Sequence, residues 1–213
     1  MLRIIAFIIL NGLFLSVFAQ KDFEFLREKE NIVMYQRDFG TKGIKQFKLT
    51  TTFKQTKLSS IFAVFRDHAT FTDWMEGIKV IKNVKKVSET ENFDYYDIGF
   101  PWPLKNRDAV YHQQIYQDAA DRSLNVNFSC LPTFVPYVED KVRLTEIQGA
   151  WKFIPHKNGD IEVIYINYSD PINIPSSFVN LIFSDALYNT LYRLRKQVKK
   201  EKYQHKKYSF IQD

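Results

Sequence analysis

Four histidines, His68, His112, His156 and His205, and one cysteine, Cys130, are the side chains with ordinary ligating or nucleophilic chemistry. They are scattered without metal-ligand spacing, and no His/Cys/carboxylate cluster supplies a nucleophile with its base. The seven glycines form no repeating phosphate-binding set. No cofactor is therefore implied, although enzymes that act through a shaped cavity and a few polar groups need no such motif. Charge offers other chemistry. Arg107 could present its guanidinium to a ligand head group, or join Asp108 in anchoring the preceding loop, and the anchoring reading is preferred for Asp108. Arg143 lies in a run where Val142 and Leu144 point to the opposite face, so it faces either a cavity or solvent. Trp102 stands between Pro101 and Pro103, which fix the backbone, and is either a cavity wall or a packing wedge.

The elements that must hold these residues read as α+β. Charged and apolar residues from Phe23 to Glu30 predict a helix, and Asn31 to Arg37 a strand. Gly40 and Gly43 make a turn into a second strand, Ile44 to Phe53, rich in β-branched residues. Ser59 or Ser60 caps a helix carrying Ile61, Val64 and Phe65, and a further helical piece through Phe71 and Trp74 ends near Gly77. Strands follow over Ile78 to Val87, Phe93 to Gly99, Asp108 to Gln117, Ser123 to Cys130, Val138 to Phe153 and Ile161 to Tyr168. Tight connections such as Lys157-Asn158-Gly159-Asp160 imply hairpins and an antiparallel sheet. The period then changes: Pro175 opens a long helix, about 175–202, with Phe178, Val179, Ile182, Phe183, Ala186, Leu187, Thr190, Leu191 and Leu194 along one face. A curved sheet closed by that helix encloses an interior that side chains need not fill.

Residues 1–19 read as an export segment: Arg3, then Ile4 to Leu10 and Leu13 to Leu15, ending in Val17-Phe18-Ala19, with cleavage expected after Ala19. As a membrane anchor the run is marginal, because Asn11 and Gly12 interrupt the roughly 20 apolar residues a span needs. The mature protein is expected in the periplasm or outside the cell, as one domain over 20–213. A lone cysteine excludes an internal disulfide, and Cys130 reads as a buried strand filler. Aromatic residues make up 16% of the chain, with 19 Phe and 12 Tyr, more than an aliphatic core calls for and suited to lining a ligand cavity.

One stretch is specific. Tyr96-Asp97-Ile98-Gly99-Phe100-Pro101-Trp102-Pro103-Leu104-Lys105-Asn106-Arg107-Asp108 resembles the Pro-Trp-Pro and Arg-Asp signature of START (steroidogenic acute regulatory protein-related lipid transfer) domains. Val142-Arg143, Gly149 with Trp151, Asp170-Pro171, Ile174-Pro175 and Phe178-Val179-Asn180 match downstream in family order. Ile32-Val33-Met34-Tyr35, Lys45-Gln46-Phe47-Lys48 and Trp74 match upstream. The resemblance implies a helix-grip fold, in which a curved antiparallel sheet and the C-terminal helix enclose one hydrophobic molecule and the helix with nearby loops acts as a lid. Tyr96, Trp102, Arg107, Arg143 and Tyr165, with Phe178, Ile182 and Phe183 of the helix, are the ligand-contact candidates. The chain departs from the family twice. Ile172 and Asn173 replace glycines after Asp-Pro, which should stiffen the lid hinge. Phe71 and Met75 stand where phosphatidylcholine-binding members carry a charged pair, and Ala109 stands where they carry an aromatic residue. Tyr96 is then only part of a cation cage, and a choline head group is not favoured.

The expected function is to bind a lipid or sterol-like hydrophobe as a monomer, with transfer as an extension of that reading. The alternatives are a cavity enzyme of the cyclase or aromatase kind, and an envelope interaction protein whose cavity is filled. Arg193, Arg195, Lys196, Lys199, Lys200, Lys202, Lys206 and Lys207 could rest on anionic lipid, each adding about 1 kcal/mol, or could simply form a solvated helix end. No nucleic-acid motif accompanies them.

Overall fold

The computed structural model describes residues 23–213; the expected export segment lies outside them. β1 (Glu24–Lys29), β2 (Ile32–Asp38) and β3 (Lys45–Phe53) open the chain, followed by α1 (Leu58–Arg66), a 3₁₀ turn at His68–Thr70 and α2 (Phe71–Trp74). Then come β4 (Ile78–Lys86), β5 (Glu91–Ile98), β6 (Arg107–Gln117), β7 (Leu124–Cys130), β8 (Val142–Arg143), β9 (Ile147–Pro155) and β10 (Ile161–Ser169). α3 (Ser176–Gln197) and α4 (Glu201–Gln204) close it. One curved sheet runs β1-β2-β3-β10-β9-β7-β6-β5-β4, so β3, early in the chain, pairs with β10, late in it, and Leu49 faces Tyr165. The fold is the α+β helix-grip arrangement, with the long helix lying against the sheet.

Period-two alternation sets the inner face. Phe47, Leu49 and Phe53 of β3, Trp151 and Phe153 of β9, and Ile161, Val163 and Tyr165 of β10 all enter one core with Ile61, Val64 and Phe65 of α1. α1 is buried from Leu58 to Phe65 on every side. Its outer face is covered by the chain's end, with the Phe62 ring 4.5 Å from Tyr208 and 5.2 Å from Phe210.

Four expectations change. Neither Ser59 nor Ser60 caps α1: the helix starts at Leu58 with Lys57 at its N-cap, and both serines are buried within it. Residues 24–29 form a strand, not a helix, because Glu30 and Asn31 both take positive φ (53° and 57°), the geometry of a tight hairpin, and pair β1 to β2. The run from Val138 to Phe153 is not one strand. Val142 and Arg143 instead pair in parallel with Arg107 and Asp108, and β9 starts at Ile147. The last helix stops at Gln197 rather than near 202, and the chain bends so that Val198 and Tyr203 are both buried in the core. Among the described residues no helix is long and apolar enough to cross a membrane.

Candidate functional site

Between the inner sheet face and α3 lies a cavity of about 240 Å³. β10 contributes Tyr165, Asn167 and Ser169, three alternate residues of one strand, and β6 contributes Tyr111. Ile78, Ile98, Phe100 and Pro101 form one side, while Ile182, Phe183, Ala186 and Leu187 of α3 line the side opposite the sheet. The far end of the core is filled. Phe65 meets Trp74, Trp151 and Phe153 at centroid distances of 5.3, 5.7 and 5.9 Å, and Trp151 stacks on Tyr165. The rich aromatic content is therefore divided between a plugged end and a cavity wall.

Gly149 shows how tightly β9 packs beside β10. A Cβ there would stand 2.4 Å from Phe128 Cζ and 2.5 Å from the Ile166 carbonyl oxygen. Only hydrogen lets the Phe128 ring lie across β9 and lets β10 close up beside it.

The candidates separate. Tyr165, Ile182 and Phe183 line the cavity together. Tyr96 does not reach it: it is buried behind the Tyr111 ring, 4.4 Å between centroids, and burial, aided by nearby Asp94, pushes its hydroxyl pKa well up. Trp102 is neither wall nor wedge, since it is 92% exposed. Phe178, expected inward, is 41% exposed on the outer side of α3, and Leu181 beside it is 63% exposed.

Both arginines are spent elsewhere. The Arg107 guanidinium donates to the carbonyls of Pro171 (2.9 Å), Lys105 (2.5 Å) and Ile172 (3.0 Å), and lies 4.5 Å from the centre of the Phe100 ring. It reaches the cavity only by backing Phe100. Arg143 forms a buried two-point pair with Asp108 (3.0 and 2.8 Å) and donates to the carbonyls of Pro132, Val135 and Pro136. It straps that loop to the sheet's outer face. Asp108 is structural as expected, but through Arg143 rather than Arg107.

Several wall residues went unread in the sequence, among them Tyr111, Asn167, Ser169 and Glu76. Tyr111 follows Ala109 at strand spacing on the face Tyr96 shares, so alternation could have found it. Glu76 sits where α2 turns into β4; its amide donates to Thr190 Oγ1 at 3.0 Å, and Arg193 Nη1 lies 2.8 Å from its Oε2. Nothing in the local pattern signals that placement. Burial raises the hydroxyl pKa of both Tyr111 and Tyr165, with Asn167 offsetting part of the effect on Tyr165, so both stay protonated near neutrality.

The start of α3 has two supports. Asn180 accepts from the Lys45 amide (2.9 Å) and donates to the Gly43 carbonyl (3.1 Å), pinning the first turns of α3. Before it, Ile172 and Asn173 hold φ of 61° and 57°, the left-handed conformation that favours the absent glycines. Asp170 accepts from the Ile172 amide at 2.8 Å, so side-chain bonds hold a backbone that its own residue types disfavour.

The basic end of the chain is largely engaged. Arg195 donates to the Glu30 carbonyl, Lys199 to the carbonyls of Lys54 and Gln55, and Lys200 and Lys202 pair with Asp73 and Asp67. Among the described residues no group of His, Cys, Asp and Glu could hold a metal.

This curved sheet gripping one helix has the helix-grip fold of START domains. Among solved structures the chain is similar to a STAR-related lipid transfer protein fragment from Xanthomonas axonopodis, at TM-score 0.76 and 26% identity, covering 84% of this chain and 99% of that one. Human STARD10 (TM-score 0.75, 15% identity, 86% and 76% covered) and human StAR-related lipid transfer protein 5 (0.74, 13%, 84% and 88%) share the fold. An uncharacterized protein of Pseudomonas aeruginosa is 26% identical over 181 residues, 84% of this chain and 88% of that protein. No family model matches.

Proposed function

We propose that the protein is a carrier that holds one hydrophobic molecule between β10 and α3, without catalysing a reaction. The observation that carries this reading is the pocket between β10 and α3, with apolar residues on both the sheet side and the helix side. The lipid-transfer proteins that share the fold support it. The cyclase reading is less well supported. The wall tyrosines are held protonated, and the wall carboxylate, Glu76, is already beside Arg193. The filled-cavity reading fits only the plugged end.

Loading at a lipid surface is part of the same proposal. Phe100 and Pro101 line the cavity and Trp102 follows them into solvent; Ile182 lines it and Leu181 precedes it into solvent. Exposed apolar groups that continue a cavity wall fit a bilayer interface, where Trp is favoured. The basic tail, paired as described, is assigned a lesser share than its charge implied. The remaining expectations, export with cleavage after Ala19, residence in the periplasm or outside the cell and action as a monomer, belong to this proposal.

The test is native mass spectrometry of protein expressed with its leader, followed by organic extraction. A stoichiometric hydrophobic molecule supports the carrier reading. Ligand-free protein that also refuses sterols, fatty alcohols and phospholipids overturns it.

A further inference from the structure

An open groove of about 840 Å³ lies where the last turn of α3 passes the β1–β2 hairpin and the end of β3. We propose that it binds a phosphate or sulfate group, carried by a soluble molecule or by a lipid head group, at a site separate from the cavity. From Leu187, in the cavity wall, to Lys196, in the groove wall, α3 rises about 14 Å.

Uncancelled charge is the reason. Arg195, Lys196 and Lys199 line the groove, and their hydrogen bonds go to neutral oxygens. Arg195 Nη1 donates to the Glu30 carbonyl at 2.8 Å, and Lys199 Nζ to the Gln55 carbonyl at 2.6 Å and to that of Lys54. Such bonds fix the place of a cation without neutralising it. Lys196 and Arg195 lie 4.2 and 5.4 Å from the centre of the Tyr192 ring, which holds both and likewise leaves them positive. Lys54, also in the lining, is matched by Asp160 at 2.8 Å. Against the other three stands one carboxylate, Glu162, which lies 3.4 Å from His156. Three cations against one carboxylate leave positive charge in excess whichever form the histidine takes. Like charges held in one groove repel, and an entering anion relieves all three together.

The neutral groups suit an oxyanion as well. Thr50 and Thr52, alternate residues of β3, line the groove, and among the described residues their hydroxyls have no hydrogen-bond partner. Each can donate to a phosphate oxygen. One N–H of Arg195 is used on Glu30, and the rest of its fork remains to meet two oxygens of one anion. A merely solvated helix end would send its cations apart into water; here carbonyls from two other segments of the chain hold Arg195 and Lys199 at one groove.

The experiment follows the backbone amide NMR signals of Asn31, Thr50, Thr52 and Glu162 at pH 7.5 while sodium phosphate, sodium sulfate or sodium chloride is added at matched ionic strength. Phosphate and sulfate are expected to move these signals to saturation, and chloride is not. Lys196 touches the Tyr192 ring and pairs with no carboxylate, so Lys196→Gln leaves the fold intact and should weaken phosphate binding about fivefold. Glu162→Gln removes the opposing carboxylate and should tighten it about threefold. Lys82→Gln makes the lysine's charge change on β4, at the other edge of the sheet, and should alter binding less than about twofold. The opposed signs of the two groove variants separate a site from a loss of fold. Sedimentation with phosphatidylcholine vesicles, plain or containing phosphatidic acid, names the source of the anion. Binding to the acidic vesicles that follows Lys196 and Glu162 in the same directions assigns the phosphate to a lipid; vesicle binding that is absent or ignores both variants, with free phosphate still saturating, assigns it to a soluble molecule. Shifts no larger with phosphate than with chloride, equal effects of Lys196→Gln and Lys82→Gln, or vesicle binding without saturation by phosphate overturn the inference.

Discussion

Arg107 Nη2 donates to the carbonyl of Ile172 at 3.0 Å, tying the start of β6 to the loop that leads into the lid. With the bonds to Pro171 and Lys105 it satisfies three carbonyls through one guanidinium, the Pro171 bond being buried and the other two partly so. Arg107→Ala should therefore cost on the order of 3 kcal/mol in denaturant unfolding, since three acceptors lose one charged donor together. Arg107→Lys should recover only part, because an ammonium lacks the planar fork.

Ile172 is β-branched and left-handed, a conformation costing about 1 kcal/mol or more. Ile172→Gly relieves that strain while loosening the unfolded chain, so global stability should change by less than about 1 kcal/mol. Lid motion should change more. Amide hydrogen exchange over residues 179–187 should accelerate in the glycine variant; unchanged exchange would show that the Asn180 pin alone sets the opening.

Gly149→Ala places a methyl against both a ring and a carbonyl. A loss of about 1–3 kcal/mol or more is expected. Combining it with Phe128→Ala should recover some of that but not all, because the Ile166 carbonyl stays 2.5 Å away. A double-mutant cycle in urea measures the remainder.

Trp102→Ala should leave the melting temperature within the change that about 0.5 kcal/mol produces, since a side chain 92% exposed contributes little packing. Its emission should shift to the blue when the wild-type protein meets phosphatidylcholine vesicles, and the variant should exchange lipid more slowly. Absence of both effects would remove Trp102 from the lipid contact.

Titration supplies two checks. Burial pushes the Cys130 thiol up to about 11, and its Sγ donates to the Leu144 carbonyl at 3.0 Å. Alkylation by iodoacetamide at pH 8 should therefore be far slower than for a free thiol, and become rapid only on unfolding. The Asp121 carboxyl is held down at about 2, first by Lys152 and then by Ser123. The stability it lends is present above its unfolded value near 4 and is lost as pH falls toward 2. With the carboxylate 42% exposed, Asp121→Asn should cost less than about 1 kcal/mol at pH 7 and nothing at pH 2.

Most of the fold was legible because its strands and last helix bury one face each, and burial writes a period into the sequence. β1 escaped because a hairpin turn of two positive-φ residues, Glu30 and Asn31, overrides a pattern that either element could wear. The site was legible only where alternation sets direction, as for Tyr165, or where a helical face does, as for Ile182 and Phe183. Arg107, Arg143 and Trp102 are specific in type, yet their directions depend on partners far along the chain: the Pro171 and Ile172 carbonyls, Asp108, and solvent. Glu76 became a wall residue through its contacts with Thr190 and Arg193 of the lid, which no local spacing records.

The pairing of β3 with β10 sets Leu49 opposite Tyr165, the residue beneath the cavity. That ladder joins an early strand to a late one, and α3, the other wall of the pocket, follows β10, so both walls exist only after nearly the whole domain has been made. Long-range pairing of this kind is slow to form. A hydrophobe that binds the finished pocket adds to the stability of the fold by mass action.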